Sequence, residues 1–191
     1  MVVVFGGADP YETYTVLKPW RSAAELTATE ANTLISQSLP PGSTITGRLS
    51  ATAENTKAIA GNYQAPYISG TQVLEITTTQ PTQYVRVFVE GGESRQIGSW
   101  VMRAEDIKGL TPEQIASKYG LPQVPTMVGD VSIPAGTKLN VSAANGISPN
   151  ASKGIFTGDN VGGGGVQFQI QTRPANPSNF ARWFSNPRPL K

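Results

Sequence analysis

Four consecutive glycines, Gly162-Gly163-Gly164-Gly165, run directly into an alternating stretch: Val166, Phe168 and Ile170 on one side, Gln167, Gln169 and Gln171 on the other. Alternation of β-branched and aromatic residues with polar ones marks a half-buried strand. Glycine has no side chain to bury and loses the most backbone freedom on folding, so four in a row must serve the main chain itself. They permit positive φ and a close approach of the backbone to another group. Two readings fit. The run is a flexible collar that presents the Gln167 amide at a ligand-facing edge, or it is a surface loop ahead of an ordinary strand. Either way the chain must contain a sheet.

Composition agrees with a turn-rich β protein. The 191 residues include 20 Gly and 15 Pro, only 15% are charged, and 38% are hydrophobic, enough for a core. That length suits one domain, or one domain with a small appendage. No run of 18 apolar residues is present, so no membrane span is expected. Met1-Val2-Val3-Val4-Phe5 is too short for a signal sequence and lacks a basic leader. A secreted protein with this sequence would take its address from elsewhere in a longer chain.

Cysteine and histidine are both absent. Disulfides, thiolate nucleophiles and zinc-thiolate sites are thereby excluded, as are Ser-His-Asp and Cys-His arrangements. No metal site is expected, and an enzyme here must work with carboxylates, amides, hydroxyls, Lys or Arg. The net charge of +2 is unevenly spread: residues 1–78 carry net −2 and residues 79–191 net +4. No acid follows Asp159, whereas Arg173, Arg182, Arg188 and Lys191 do. The second part is the better place for a phosphate-bearing partner, although a basic tail is also an ordinary solvated end.

Along the chain, strands are expected at 2–5 and 14–17 and a helix over 22–39, with a capping box at Thr27-Ala28-Thr29-Glu30 and a stop at Leu39-Pro40-Pro41-Gly42. Strands follow at 44–46 and 72–77, with weak patterning over 51–70 between them. The polar, proline-broken stretch 77–82 reads as a linker, dividing an N-terminal extension or delivery region, 1–78, from a catalytic domain, 79–191. Residues 83–89 and 97–102 read as a hairpin turned by Gly91-Gly92-Glu93-Ser94. Thr111, Pro112, Gln114 and Gly120 frame a short helix. Strands at 128–133 and 138–141 precede a long loop and the glycine run, and 179–184 suits one helical turn.

Arg86 sits mid-strand among apolar neighbours and needs a partner, either a ligand phosphate or a cross-strand acid. Trp100 on its strand stacks on a flat ring or fills the core. Lys118 and Tyr119 close a helix, where a cation also complements the helix dipole. Glu105 and Asp106 are a carboxylate pair, but their adjacency suits a helix start. The glycine run is not a P-loop, because no Gly-Lys-Ser/Thr follows, nor a dinucleotide fingerprint, because a strand follows it rather than a helix.

One order of motifs spans a little under half the chain: Val85-Arg86-Val87-Phe88, Gly98-Ser99-Trp100-Val101, Leu121-Pro122, Val131-Ser132-Ile133-Pro134-Ala135-Gly136-Thr137 and Gly163-Gly164-Gly165-Val166-Gln167-Phe168. This order resembles the necrotizing-toxin (TNT) type of NAD glycohydrolase, a relative of the ADP-ribosyltransferases. It also resembles the C-terminal warheads of polymorphic toxins used in contact-dependent growth inhibition. The resemblance implies an α+β fold: a β-rich mixed sheet, split around a cleft that takes NAD as substrate, with a few short helices. It implies Gln167 and Arg86 as catalytic residues, the latter on the dinucleotide phosphates. Trp100, Lys118, Tyr119, Gly164 and Gly165 are implied to bind substrate. It further implies secretion as the C-terminal part of a larger protein, delivery into a target-cell cytoplasm, and a cognate immunity protein.

The departures are specific. The family's arginine before Leu-Pro is replaced by Tyr119-Gly120, leaving Lys118 as the nearest cation. The last strand has Gln167-Phe168-Gln169 where transferases prefer a glutamate in the third position, which favours hydrolysis over transfer to protein. Two other classes fit the same residues: a toxin ribonuclease that cleaves tRNA or other RNA without histidine, and a non-enzymatic β-rich adhesion module.

Overall fold

A computed structural model of the chain describes residues 20–151 and 160–191. The strands expected at 2–5 and 14–17 lie outside the described residues. Among the described residues, four α-helices and eight strands alternate irregularly, so the α+β class holds. The helices are α1 (Ala28–Gln37), α2 (Ala51–Ala60), α3 (Pro112–Tyr119) and α4 (Pro177–Ala181). The strands are β1 (Thr44–Ser50), β2 (Gln72–Thr77), β3 (Thr82–Phe88), β4 (Trp100–Val101), β5 (Met127–Ile133), β6 (Lys138–Ala143), β7 (Val166–Ile170) and β8 (Phe184–Pro189). They form a five-stranded sheet of order β1-β2-β6-β7-β4 and a three-stranded sheet of order β3-β5-β8. Every strand pairing is antiparallel, so the expected mixed sheet is corrected.

The apolar side of β7 fills the main core. Val166, Phe168 and Ile170 meet Leu74, Ile76, Leu139 and Val141 from their own sheet, and Tyr84, Val131 and Ile133 from the other. Phe168 is fully buried and its ring lies 4.7 Å from that of Tyr84. Helix α1 covers this core with Ala31 and Ile35, one turn apart on one face. It is shorter than the 22–39 expected, because Thr27 caps it and Glu30 returns the bond to the Thr27 amide.

Residues on both sides of position 78 share the larger sheet and this core. The 77–82 stretch read as a linker is a tied crossover: Thr78 is buried and its hydroxyl donates to Pro134 O at 2.8 Å. The expected hairpin is also revised. Residues 100–102 meet the backbone of β3 in an isolated bridge, Val85–Met102, while β4 pairs with β7 and β3 pairs with β5.

Two elements escaped the pattern. Helix α2 buries only Ala51 and Asn55, too few apolar positions to show a period, yet Ala, Glu and Lys are good helix formers and Ser50 caps it. Strand β8 contains Pro187 and Pro189, which argue against a central strand; it lies at a sheet edge, where proline is tolerated.

Candidate functional site

The polar side of β7 looks the other way. The Cα register sets Glu75, Asn140, Gln169 and Trp100 side by side across β2, β6, β7 and β4. Because side chains alternate, this row shares one face with Gln167 and Gln171. Helix α2 and residues 63–67 stand over part of that face, and β3 with residues 119–125 border the rest, enclosing a cleft of about 840 Å³. Four of the residues implied by the family resemblance meet on its wall: Arg86, Trp100, Tyr119 and Gln167.

Arg86 is half-buried. Its Nε donates to Arg95 O at 2.9 Å and its Nη1 to Trp100 O at 2.8 Å, both main-chain carbonyls. Among the described residues no carboxylate pairs with it. Burial, and secondarily the charge of Arg173, push its pKa down to about 10, so it stays charged at neutral pH. Arg173 approaches from the far side of the same segment and donates to the Ser99 hydroxyl. The cross-strand acid considered for Arg86 is not there.

Gln167 is buried, and its Nε2 donates to Pro66 O at 3.0 Å. It therefore pins the 63–67 segment against the sheet while lining the cleft. Tyr67 is held more firmly still. Asn55 of α2 brackets it, donating to Tyr67 O at 2.8 Å and accepting from Tyr67 N at 3.0 Å. The Tyr67 and Trp100 rings lie 6.2 Å apart at 55°. Burial first, then the charge of Glu54, push the Tyr67 hydroxyl up to about 12, so it remains a donor. The Tyr119 ring lies on the wall, but its hydroxyl is buried without a hydrogen-bond partner, and burial raises its pKa. Asn140 Oδ1 is likewise unpartnered.

Three implied binding residues are not on the cleft wall. Lys118 turns back at the end of α3 and donates to Asp106 O at 2.6 Å, its ammonium 5.9 Å from the Trp20 ring. It anchors the Ala104–Asp106 turn instead of facing the cleft. Gly164 and Gly165 are buried against protein. Their amides donate to Ala144 O at 2.8 Å and Lys118 O at 3.0 Å, and Gly163 N donates to Ser117 O at 2.7 Å. The collar approaches the backbone closely, as expected of glycines, but that backbone is the protein's own. It is a rigid, hydrogen-bonded strap rather than a hinge. Glu105 and Asp106 both pair with Arg103, which makes them structural.

Sequence reasoning missed Tyr67, Asn140, Gln169 and Gln171 as wall residues. The Gln167-Gln169-Gln171 alternation was a visible signal; nothing local marked Tyr67 or Asn140, which the register and α2 bring in. The cleft also holds Glu54, paired with Lys57 at 2.6 Å. Among the described residues no helix is long and apolar enough to cross a membrane, and no cluster of acids could hold a metal ion. No protein-family model, curated protein or solved structure matches the chain.

Proposed function

We propose that the cleft binds NAD and hydrolyses its bond to nicotinamide. The observation that carries this reading is Arg86: a charged guanidinium, half-buried on the wall of a nucleotide-sized cleft, bonded only to main-chain carbonyls. A half-buried charge that meets only carbonyl dipoles is incompletely compensated, and a phosphate in the cleft would complete it. Perturbed cations in clefts mark ligand sites more often than chance, and the volume suits a small-molecule ligand. The other wall groups are amides and aromatic rings, which suit the uncharged parts of a nucleotide.

The reaction asks little of proton transfer. Nicotinamide leaves from a cationic ring, and the ribose develops oxocarbenium character in the transition state. Positioning and electrostatic stabilisation can then supply most of the acceleration. Arg86 holds the pyrophosphate. Gln167 keeps residues 63–67 closed over the sheet and offers its remaining amide atoms to ribose or to water. Lys118 has no part in this mechanism. We extend the proposal to the biological setting implied by the family resemblance: a toxin domain delivered into a target cell and neutralised by an immunity protein that covers a basic face.

The test is nicotinamide release from NAD by purified protein. Arg86→Gln removes the charge and should lower kcat/KM at least about 100-fold, consistent with losing a charge-assisted pair of about 3 kcal/mol. Absence of release by the unaltered protein at high concentration would falsify the hydrolytic reading. Discrete tRNA fragments from total RNA would favour the ribonuclease instead.

A further inference from the structure

Gln169 carries a constraint that its neighbours do not. Its Oε1 accepts from Gln171 Nε2 at 3.0 Å, and the Tyr67 hydroxyl approaches the same oxygen at 3.4 Å. Both contacts fall on the oxygen side of the amide. The oxygen points into the protein network, so the Nε2 amino group is left to the cleft, with no partner among the described residues. Asn55 holds the Tyr67 backbone from both sides, which keeps that ring in place beside Gln169.

Trp100 is the direct cross-strand neighbour of Gln169, half-buried on the same wall and braced by the Tyr67 ring. A rigid aromatic face therefore stands beside a pre-oriented N–H donor. Stacking accepts any flat ring, whereas the donor accepts only a ring with an acceptor on its edge. Arg86 ties these parts together, since its guanidinium donates to the Trp100 carbonyl.

We propose that Trp100 and Gln169 form a ring subsite, Trp100 stacking on a heteroaromatic ring and Gln169 Nε2 donating to an acceptor on that ring's edge. This rests on the nucleotide reading of the cleft but not on hydrolysis. Adenine nitrogens and the nicotinamide carbonyl both offer such an acceptor, and Gln171 is the positioning residue that keeps the donor turned outward.

The experiment is equilibrium binding to the whole protein of three probes: AMP, nicotinamide mononucleotide and ribose 5-phosphate. The sugar phosphate, which lacks a base, should bind at least tenfold more weakly than one of the nucleotides, and the nucleotide that binds tighter identifies the ring. Gln169→Met, which keeps the length and loses the donor, should weaken that nucleotide about tenfold and leave ribose 5-phosphate unchanged. Gln171→Met should weaken it about threefold by freeing the Gln169 amide to rotate. Trp100→Leu should erase the preference for a ring. Equal binding of all three probes, no binding of either nucleotide at millimolar concentration, or wild-type affinity in Gln169→Met would each overturn the subsite. Nicotinamide release with an unchanged KM in Gln169→Met would overturn the subsite and leave hydrolysis standing. Gln169-dependent binding without any release would do the reverse.

Discussion

The two faces of β7 and the residue after it are built from six consecutive residues, yet they are closed in different ways. Val166, Phe168 and Ile170 are covered by protein from both sheets and α1. Gln167, Gln169 and Gln171 face a cleft whose arginine has no acid partner among the described residues. On the first face the interactions are complete within the chain. On the second they are incomplete, and a ligand can finish them. Stability is drawn chiefly from one side of this strand and recognition from the other.

That contrast can be broken or sharpened by substitution. The largest effect is expected from Phe168→Ala, which empties the centre of the core; it should lower unfolding free energy by about 3–5 kcal/mol in denaturant titration. A loss under about 1 kcal/mol would mean that the apolar face does not hold the sheets together. Next comes Gly164→Ala. Gly164 has φ +91°, and a Cβ there would overlap the Arg21 carbonyl oxygen. Its cost should be about 3 kcal/mol, of which the backbone conformation accounts for about 1–2. Gly136→Ala, at φ +81° with open space around it, should cost only the conformational part. Equal losses at the two positions would contradict a strap that is locked against protein.

Asn55→Ala should cost about 2 kcal/mol by leaving the Tyr67 backbone groups unpaired, and should loosen Tyr67 at the cleft. Faster hydrogen exchange at Tyr67 checks this. The smallest effect is that of Glu30→Gln, far from the cleft. The Arg21 hydrogen bond first, then the Thr27 cap, lower the Glu30 pKa from its usual 4.5 to about 2. A depressed folded value adds stability above pH 4.5 that is lost as pH falls towards 2. The substitution should therefore flatten the acid side of the stability profile slightly, and salt should shrink the difference, because the carboxylate is exposed.

The resemblance-led expectations divide along the same line. Arg86, Trp100, Tyr119 and Gln167 come from four separate segments and meet on one wall. Lys118 was chosen for its closeness in sequence to Leu121-Pro122, but the helix end turns its side chain towards Asp106. The glycines were legible as a place of close approach, and their partners were not: the carbonyls of Ser117, Lys118 and Ala144 arrive from elsewhere in the chain.

Local chemistry decided what could be read without coordinates. Period-two alternation defined β3 and β7, a capping box set the start of α3, and Pro112 with Gly120 bounded it; each signal spans a few residues and needs no distant partner. Tertiary structure decided which face of β7 meets water, which strands share a sheet, and that Asn140, Gln169 and Trp100 stand in one row. Register and sheet order depend on contacts between residues far apart in the chain. A strand's own sequence says which side is apolar, but not what will stand opposite its other side.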